Sequence, residues 1–472
     1  MGEKKIIGEY DPIPAKESAS YSLLTFGHGM IIMSLNTYLS WFYTDFAGLP
    51  VAFVGVIFLA TRVIDAFTDI FMGWLVDHTK SKLGHCRPWF YRMAIPFALV
   101  MLCNFLVPET TVAGKIIYSA VCYVMTVCVF NTSISVPMAT VMSRITRNPN
   151  SQKRLNTLLP IFNVLATLSI SFVQIPLLRA FGFNKRAFLY VYIIYAAIGV
   201  FGLLVGNSGI TERVETIALK DQQQKRSFRK DFGMLLKNKY WVIAVIGFLG
   251  FSVQSGLAGN NIYFYTYVLG DAGLNAVMSL VSIIPGFACA AFMPAIYKRI
   301  RDRRPLLCVC QFLTVVLYMS VYFVSQSGPE SVGIVIILFI FRSLFQAPYI
   351  AIMFGLIVES IEYGEWKNGI RTEGLAFSMQ SFGQKMGIAL STGLGAFILA
   401  AGGYDGTAAV QTPEALNAIR HSVTTLGAAG MLIIFISVCL FDLHLQLPKI
   451  IEDLKARRAA QSTAATGSGN NG

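Results

Sequence analysis

Three ionisable side chains lie inside one long apolar segment of the chain, residues 51–76. Arg62, Asp65 and Asp69 follow one another at helical spacing, which places them on one face of a helix with the two carboxylates one turn apart. A charge near the centre of a bilayer costs about 2.5–3.5 kcal/mol in insertion measurements, so such groups usually face a cavity or a partner. In a purely structural network Arg62 would neutralise one carboxylate, and the negative charge of the other carboxylate would remain uncompensated. The surplus charge favours a binding site for a cation.

A further charge, Lys385, lies well inside another apolar segment, residues 374–402. The neighbouring residues 378–387 contain no acidic side chain that would neutralise it locally. A lysine near a helix end can extend its ammonium group to the membrane surface, but Lys385 lies deep in its segment. The sequence therefore predicts a counter-ion in the other half of the chain, and Asp65 is the natural candidate.

The composition is that of a membrane protein. Of the 472 residues, 55% are hydrophobic and 13% are charged, which is about half the charged fraction of soluble domains. Apolar stretches of about 20 residues recur about twelve times and predict an all-α membrane protein whose helices form two six-helix bundles. The predicted spans are residues 20–44, 51–76, 91–108, 114–142, 155–180, 187–207, 240–268, 273–297, 306–325, 331–358, 374–402 and 422–445.

A strongly charged break divides these spans into two halves of six. Carriers built from two bundles hold their substrate near mid-membrane between the halves, and we expect the same arrangement here. The predicted parts, in order, are a cytoplasmic N-terminal tail (1–19), a first bundle (20–207), a cytoplasmic middle loop (208–239), a second bundle (240–445) and a cytoplasmic C-terminal tail (446–472).

The net charge of +13 comes from basic residues in the connections between spans. They concentrate after the even-numbered spans, in segments such as 80–92, 144–154 and 298–304, whereas most opposite connections are nearly bare. Basic loops stay in the cytoplasm, so we expect an integral multi-pass protein of the plasma membrane, the inner membrane in bacteria, with both termini cytoplasmic. No zinc-finger, RNP-like or basic-helix pattern occurs, so nucleic acid is not an expected partner.

Histidine and cysteine usage gives little support to an enzyme. The eight cysteines form no CxxC motif, and most lie inside apolar segments, where small buried side chains are expected. Only His28 among five histidines lies well inside a span, and the sequence has no GxSxG turn or metal-spaced His/Glu pair. We therefore expect no catalytic residues, no cofactor and no metal other than a transported Na⁺.

Several motifs resemble one family of carriers. Residues 73–88 resemble the cytoplasmic loop signature of the major facilitator superfamily. Further stretches together resemble the glycoside–pentoside–hexuronide:cation symporters, the group that contains melibiose permease, and Tyr363-Gly364-Glu365 belongs to the most specific of them. The resemblance spans the membrane domain and implies the major facilitator fold. The stretches are residues 43–45, 62–69, 72–74, 84–89, 131–137 and 362–374, the last followed by Lys385.

The resemblance implies roles for the charges inside the membrane. In this family the two carboxylates of the second helix bind the coupling cation, which gives that role to Asp65 and Asp69. Thr132 stands where a hydroxyl of the fourth helix completes the site, and Thr68 replaces an asparagine ligand. Lys385 is implied to pair with Asp65, and together with Arg62 it forms the predicted coupling charges. Carboxylates and hydroxyls suit Na⁺, and protonation of one carboxylate would serve H⁺ equally, so the ion stays open between the two.

The substrate site departs from melibiose permease, because its two galactoside-binding aspartates fall on Gly29 and Ser135. A galactoside specificity like that of melibiose permease is therefore not expected. Amide, hydroxyl and imidazole groups suit sugar hydroxyls, whereas protonated His28, Arg62 or Lys385 would favour an anionic glycoside such as a glucuronide or a sulfonated sugar. The candidate substrate-binding residues are His28, Asn36, Tyr38, Asn131, Ser135, Asn163, Gln254, Asn261, Gln346 and Gln380. The candidate residues of cytoplasmic gating loops are Asp77, Arg87, Glu362, Glu365, Arg371 and Glu373.

Taken together, these features predict a secondary active symporter that imports a sugar or glycoside with Na⁺ or H⁺ by alternating access. The expected partners are a small-molecule sugar and the lipid bilayer, and the protein is expected to function as a monomer. One alternative is a proton-coupled efflux carrier or a lipid transporter of the same superfamily. A membrane-embedded enzyme is a weaker alternative.

Overall fold

The structure is a computed structural model that describes residues 8, 10–214, 228–300, 302–368, 373–408, 410–454 and 456–457. Within these residues the chain is helical throughout its regular structure and contains no β-strand. Arg371, one of the predicted gating residues, lies outside the described residues, as do the ends of both predicted tails and the centre of the middle loop.

The first half of the chain, named here by its helices α1–α7, begins at Ala15. A π-helical turn extends α1 over Phe42–Phe46, and another joins α4 to α5 over Met125–Asn131. The helices are α1 (Ala15–Trp41), α2 (Val51–His78), α3 (Arg87–Cys103), α4 (Val112–Val124), α5 (Thr132–Ile145), α6 (Pro149–Ala180) and α7 (Lys185–Ser208).

The second half, α8–α15, contains one short helix before its membrane-spanning part. Its helices are α8 (Phe228–Leu236), α9 (Lys239–Ser255), α10 (Ala258–Tyr263), α11 (Leu274–Tyr297), α12 (Arg304–Val324), α13 (Val332–Asn368), α14 (Glu373–Ala401) and α15 (Pro413–Leu440). A π-helical turn over Phe264–Val268 extends α10, and a further short helical segment follows α15 at 447–454.

The predicted number of spans agrees with these helices. The described residues contain 9 ranges long and apolar enough to cross a membrane, and one of them, Arg304–Lys367, is 64 residues long and holds both α12 and α13. Two further helices complete the predicted twelve: α1, with 27 residues, and α3, whose 17 residues extend about 26 Å. The chain is therefore an all-α membrane protein with the predicted number of crossings.

Several helix boundaries differ from the predicted spans. The helix α13 continues to Asn368, so Glu362 and Glu365, predicted in a loop, lie on a helix that extends beyond its apolar part. The helix α15 begins at Pro413, earlier than expected, because the Thr412 hydroxyl caps it by accepting from the Ala415 amide at 3.2 Å. The predicted span 240–268 is interrupted between α9 and α10.

Close helix contacts depend on small residues. A Cβ atom on Gly27 of α1 would lie 2.8 Å from the Gly202 Cα of α7, and one on Gly206 would lie 2.5 Å from the Leu24 backbone nitrogen. A Cβ atom on Gly256, where α9 ends, would lie 2.8 Å from the Ile388 carbonyl oxygen of α14. These glycines allow the backbones to approach closely, which is the usual way in which membrane helices pack.

The two halves meet along three pairs of helices: α2 packs against α14, α1 against α10, and α6 against α11. Within the first half, α1 packs on α6 and α7, and within the second half α9 and α12 pack on α15. The pair α2 and α14 carries all the charges that the sequence predicts at mid-membrane. This contact therefore positions the candidate site.

Candidate cation and substrate site

The Lys385 ammonium lies between the two carboxylates of α2. Its Nζ is 3.0 Å from Asp65 Oδ2 and forms a second ion pair with Asp69 Oδ2. The Asp65 side chain is only 2% exposed, whereas those of Asp69 and Lys385 are each 28% exposed. The structure thus brings together three of the four charges that sequence reasoning selected, and it places the lysine and the carboxylates on opposite halves.

Thr132 completes the surroundings of Asp65. Its hydroxyl donates to Asp65 Oδ1 at 2.9 Å, so both oxygens of this carboxylate accept a hydrogen bond. Asp69 Oδ1, in contrast, is buried and has no hydrogen-bond partner within the described part of the chain. Two carboxylates and one ammonium leave a net charge of −1, and the unpartnered oxygen is where a cation or a proton would compensate it.

Two of the predicted site residues take other positions. The Thr68 hydroxyl donates to the Asp65 carbonyl oxygen of its own helix at 3.0 Å, so the described contacts do not join it to either carboxylate. The Arg62 guanidinium donates to Asn36 Oδ1 of α1 at 3.1 Å, and no ion pair links it to a carboxylate among the described residues. Lys385, rather than Arg62, forms the ion pairs with the carboxylates, because α14 lies directly against this face of α2.

A cavity of about 280 Å³ lies beside the charges, between the two halves. We name it the Arg62 cavity. Its lining includes residues of both halves: Asn36, Thr37, Arg62, Thr167, Ser255 and Thr392, together with the apolar Phe58, Tyr123 and Ile388 among others. Arg62 precedes Asp65 by one turn of α2, and Ile388 follows Lys385 by one turn of α14. The cavity and the charge cluster therefore share two helices.

A second cavity of about 150 Å³ adjoins the first, since Thr37, Thr167 and Ala258 line both. We name it the Arg342 cavity. Its polar lining comes from both halves: Thr37, Thr167 and Ser171 from the first, and Gln254, Asn261, Asn275, Ser279, Ser282 and Arg342 from the second. Arg342 is a buried charge that sequence reasoning missed, although an arginine ten residues inside α13 carries the same signal as Lys385.

The predicted substrate-binding residues fall into two groups. Asn36 lines the Arg62 cavity, and Gln254 and Asn261 line the Arg342 cavity. The other seven line neither cavity, and four of them form hydrogen bonds elsewhere: His28 and Asn131 bond each other at 2.9 Å, Tyr38 accepts from Asn275 at 2.6 Å, and Gln346 donates to Gln254 at 3.4 Å. Of the remaining three, Ser135 and Asn163 are half-buried and Gln380 is buried. The structure thus brings three of the ten to the cavities between the halves.

The predicted gating residues of the first half are held within that half. Asp77 accepts from Arg144 at 2.9 Å, and Arg87 donates to the Asn207 carbonyl at 3.2 Å. The Glu212 carboxylate accepts from the backbone amides of residues 85–87 at 2.8–2.9 Å, which fixes this loop against the end of α7. Of the remaining candidates, Glu362 and Glu365 lie on α13 and Glu373 begins α14.

A polar cluster that sequence reasoning did not identify joins the halves on the predicted extracellular side. The Asp45 carboxylate accepts from the Tyr404 hydroxyl at 2.8 Å and from the Tyr267 hydroxyl, both in the second half. The Trp41 indole donates to the same carboxylate at 3.0 Å, and Tyr263 bonds Ser40 of the first half at 3.0 Å. The tyrosines of the second half lie more than 200 residues from Asp45 in sequence, so no local pattern reveals the cluster.

Two helical halves that enclose polar cavities and a buried charge cluster between them define a membrane carrier. The chain belongs to the MFS/sugar transport protein family, whose sequence profile matches residues 20–444. It is 29% identical to the isoprimeverose transporter of Lactiplantibacillus pentosus, over 96% of this chain and 94% of that one. It is 26% identical to a glucuronide carrier protein homolog of Escherichia coli, over 89% of this chain and 91% of that one.

Among solved structures, a D-xylose–proton symporter has the same fold. It superposes with a TM-score of 0.62 at 14% identity and covers 91% of this chain and 97% of that one. At this identity the likeness concerns the fold alone. The family and the relatives confirm the resemblance drawn from the sequence motifs, and the fold confirms the major facilitator architecture.

Proposed function

We propose that the protein is a secondary active symporter that imports a sugar or glycoside together with Na⁺ or H⁺. The observation that carries the proposal is the contact of Lys385 in one half with Asp65 and Asp69 in the other. The similarity to an isoprimeverose transporter and to a glucuronide carrier homolog supports a sugar or glycoside as the substrate. The protein is proposed to act without catalysis, as a monomer, in the plasma membrane with both termini in the cytoplasm.

The cation enters the mechanism through the charge that Lys385 leaves uncompensated. A monovalent cation between Asp65 and Asp69 would have carboxylate oxygens and the Thr132 hydroxyl as ligands, which are the hard oxygen donors that Na⁺ prefers. A proton would instead occupy one carboxylate of the close pair. In both cases the carboxylates attract Lys385 less strongly, and the contact between α2 and α14 weakens.

Coupling follows from the helices that the two sites share. The Arg62 cavity is lined by residues one turn from Asp65 on α2 and one turn from Lys385 on α14. Cation binding that alters the α2–α14 contact therefore alters the cavity, and by linkage a sugar in the cavity changes the affinity for the cation by the same factor. Loaded and empty carriers change conformation, whereas the carrier with the cation alone does not.

The test is uptake by proteoliposomes with an imposed Na⁺ or H⁺ gradient. The substrates are labelled neutral disaccharides, α-galactosides, β-glucuronides and a sulfonated sugar. The proposal predicts that one ion gradient drives accumulation of one of these classes and that dissipating the gradient abolishes it. Equal movement of all substrates with and without either gradient, or chemical conversion of a substrate by the purified protein, would refute it.

A further inference from the structure

Arg342 is a charged residue buried at the interface between the halves with no role in the mechanism above. It lies ten residues from the start of α13, which is about 15 Å along the helix and so near the middle of a bilayer core of about 30 Å. The residue is 4% exposed and lines the Arg342 cavity.

Aromatic residues hold the Arg342 side chain at the cavity wall. Its Nη1 donates to the Tyr318 hydroxyl, and its guanidinium lies 5.1 Å from the Tyr318 ring and 4.6 Å from the Phe339 ring. Cation–π contacts of this kind stabilise a desolvated cation but do not neutralise it. The guanidinium is therefore fixed in position and keeps its full charge.

The guanidinium also lacks a protein counter-ion. No carboxylate pairs with it within the described part of the chain, and its buried Nε has no hydrogen-bond partner there. The described lining of the Arg342 cavity contains amides, hydroxyls and aromatic rings around this one cation and no acidic residue. A buried positive charge with an unused donor is a site for an anion from outside the protein.

We propose that Arg342 binds an anionic group of the substrate, a carboxylate or a sulfonate, while the amides of this cavity bind sugar hydroxyls. This inference rests on the proposed function and specifies its substrate class. The charges support it: the cation site carries one surplus negative charge, and the Arg342 cavity carries one uncompensated positive charge. Loading with a cation and an anionic glycoside neutralises both sites before the carrier changes conformation.

The experiment compares two probes that differ in one group, p-nitrophenyl β-glucoside and p-nitrophenyl β-glucuronide. Their affinities are measured for the full-length protein in detergent by the shift in thermal unfolding that each probe causes, and their uptake is measured in proteoliposomes with Na⁺ or H⁺ gradients. The variants are Arg342→Gln, Arg342→Lys and the control Arg420→Gln. Arg420 also lies in the second half with a buried, unpartnered Nε but lines neither cavity.

The wild-type protein is expected to bind the glucuronide about tenfold or more tightly than the glucoside. This ratio of affinities is what one hydrogen bond to a charged group contributes in a site shielded from water. Arg342→Gln should abolish this preference, Arg342→Lys should retain part of it, and Arg420→Gln should leave it unchanged. The inference is overturned if the wild type binds the glucoside at least as well, if Arg342→Gln weakens both probes equally, or if neither probe binds.

Failure of the proposed function gives a different result. In that case the glucuronide binds with the predicted dependence on Arg342, but no ion gradient drives its uptake. Conversely, gradient-driven uptake of a neutral sugar without binding of the glucuronide would overturn the anion site and leave the symport proposal standing. If Arg342→Gln does not fold, the preference of the wild type and of Arg342→Lys decides the matter.

Discussion

Lys385 Nζ lies 3.0 Å from Asp65 Oδ2, although the two residues are 320 positions apart in the chain. The contact joins α14 of the second half to α2 of the first, and it occurs where the membrane leaves few other ways to neutralise either charge. An ion pair across the two halves of a carrier is a bond that must break or rearrange when the halves move. We propose that this ion pair links the charge state of α2 to the conformation of the protein.

Replacement of Lys385 by Gln is expected to lower both stability and transport. The change leaves the buried Asp65 and the half-buried Asp69 without their ammonium counter-ion. Breaking a buried ion pair in this way typically costs about 3–5 kcal/mol. The unfolding temperature in detergent should fall, and Asp65→Asn in the same chain should restore part of it because the surplus charge is removed. A double variant no more stable than Lys385→Gln alone would contradict a direct interaction between the two residues.

Thr132→Val is expected to weaken cation binding and to lower the stability of the protein. The substitution preserves the shape of the side chain but removes a hydrogen bond to a carboxylate, which is worth about 1.5–3 kcal/mol. The half-maximal cation concentration for uptake should rise about tenfold. Ser133→Ala is the matched control, because the neighbouring Ser133 hydroxyl donates to the Val129 carbonyl at 2.6 Å. Equal effects of the two substitutions would refute a role for Thr132 in the cation site.

Tyr404→Phe is expected to favour opening on the predicted extracellular side. It removes hydrogen bonds between the Tyr404 hydroxyl and Asp45 that join the two halves. A cysteine introduced at Ser171, in the Arg342 cavity, should then react faster with an impermeant thiol reagent added outside, in a chain without its native cysteines.

Tyr322→Phe is the control for this substitution, because the Tyr322 hydroxyl donates to Asn417 of the same half at 2.9 Å. Its removal should not change the labelling rate. Labelling that is unchanged in Tyr404→Phe as well would show that the Asp45 cluster does not hold the halves together.

Gly27→Val is expected to destabilise the first half. A Cβ atom at this position would meet the Gly199 carbonyl oxygen at 2.8 Å, so α1 and α7 would have to separate, and overpacking of this kind costs about 1–3 kcal/mol. The unfolding temperature should fall clearly below that of Gly355→Ala, where the added Cβ has no atom within 4 Å. Equal temperatures for the two variants would contradict the close approach of α1 and α7.

The charged residues of the site could be predicted from the sequence because ionisable residues inside apolar segments are rare and energetically costly. Asp65, Asp69 and Lys385 are recognisable for this reason, and Arg342 carries the same signal inside α13. The residues that line the cavities were harder to predict from the sequence, because the lining depends on how each helix is rotated about its axis. His28 and Asn131, for example, satisfy each other and line neither cavity.

The ends of the helices were also difficult to predict. Hydropathy shows where a helix leaves the membrane, but α13 continues as a helix for a further turn or more into its polar end. The Asp45 cluster was missed because its tyrosines come from distant parts of the chain and their hydroxyls converge only in the folded protein. Such contacts depend on the packing of the two halves.

Ion coupling through Asp69 is tested by comparing two kinds of transport in the same proteoliposomes, with the substrate that the wild type accumulates. One is accumulation driven by an ion gradient, and the other is exchange of labelled for unlabelled substrate without a gradient. Asp69→Asn is predicted to abolish accumulation, whereas Glu109→Gln, which removes exposed ion pairs with Lys115 and Lys185 of the same half, should behave as the wild type. Full gradient-driven accumulation by Asp69→Asn would show that this carboxylate does not couple the cation to the substrate.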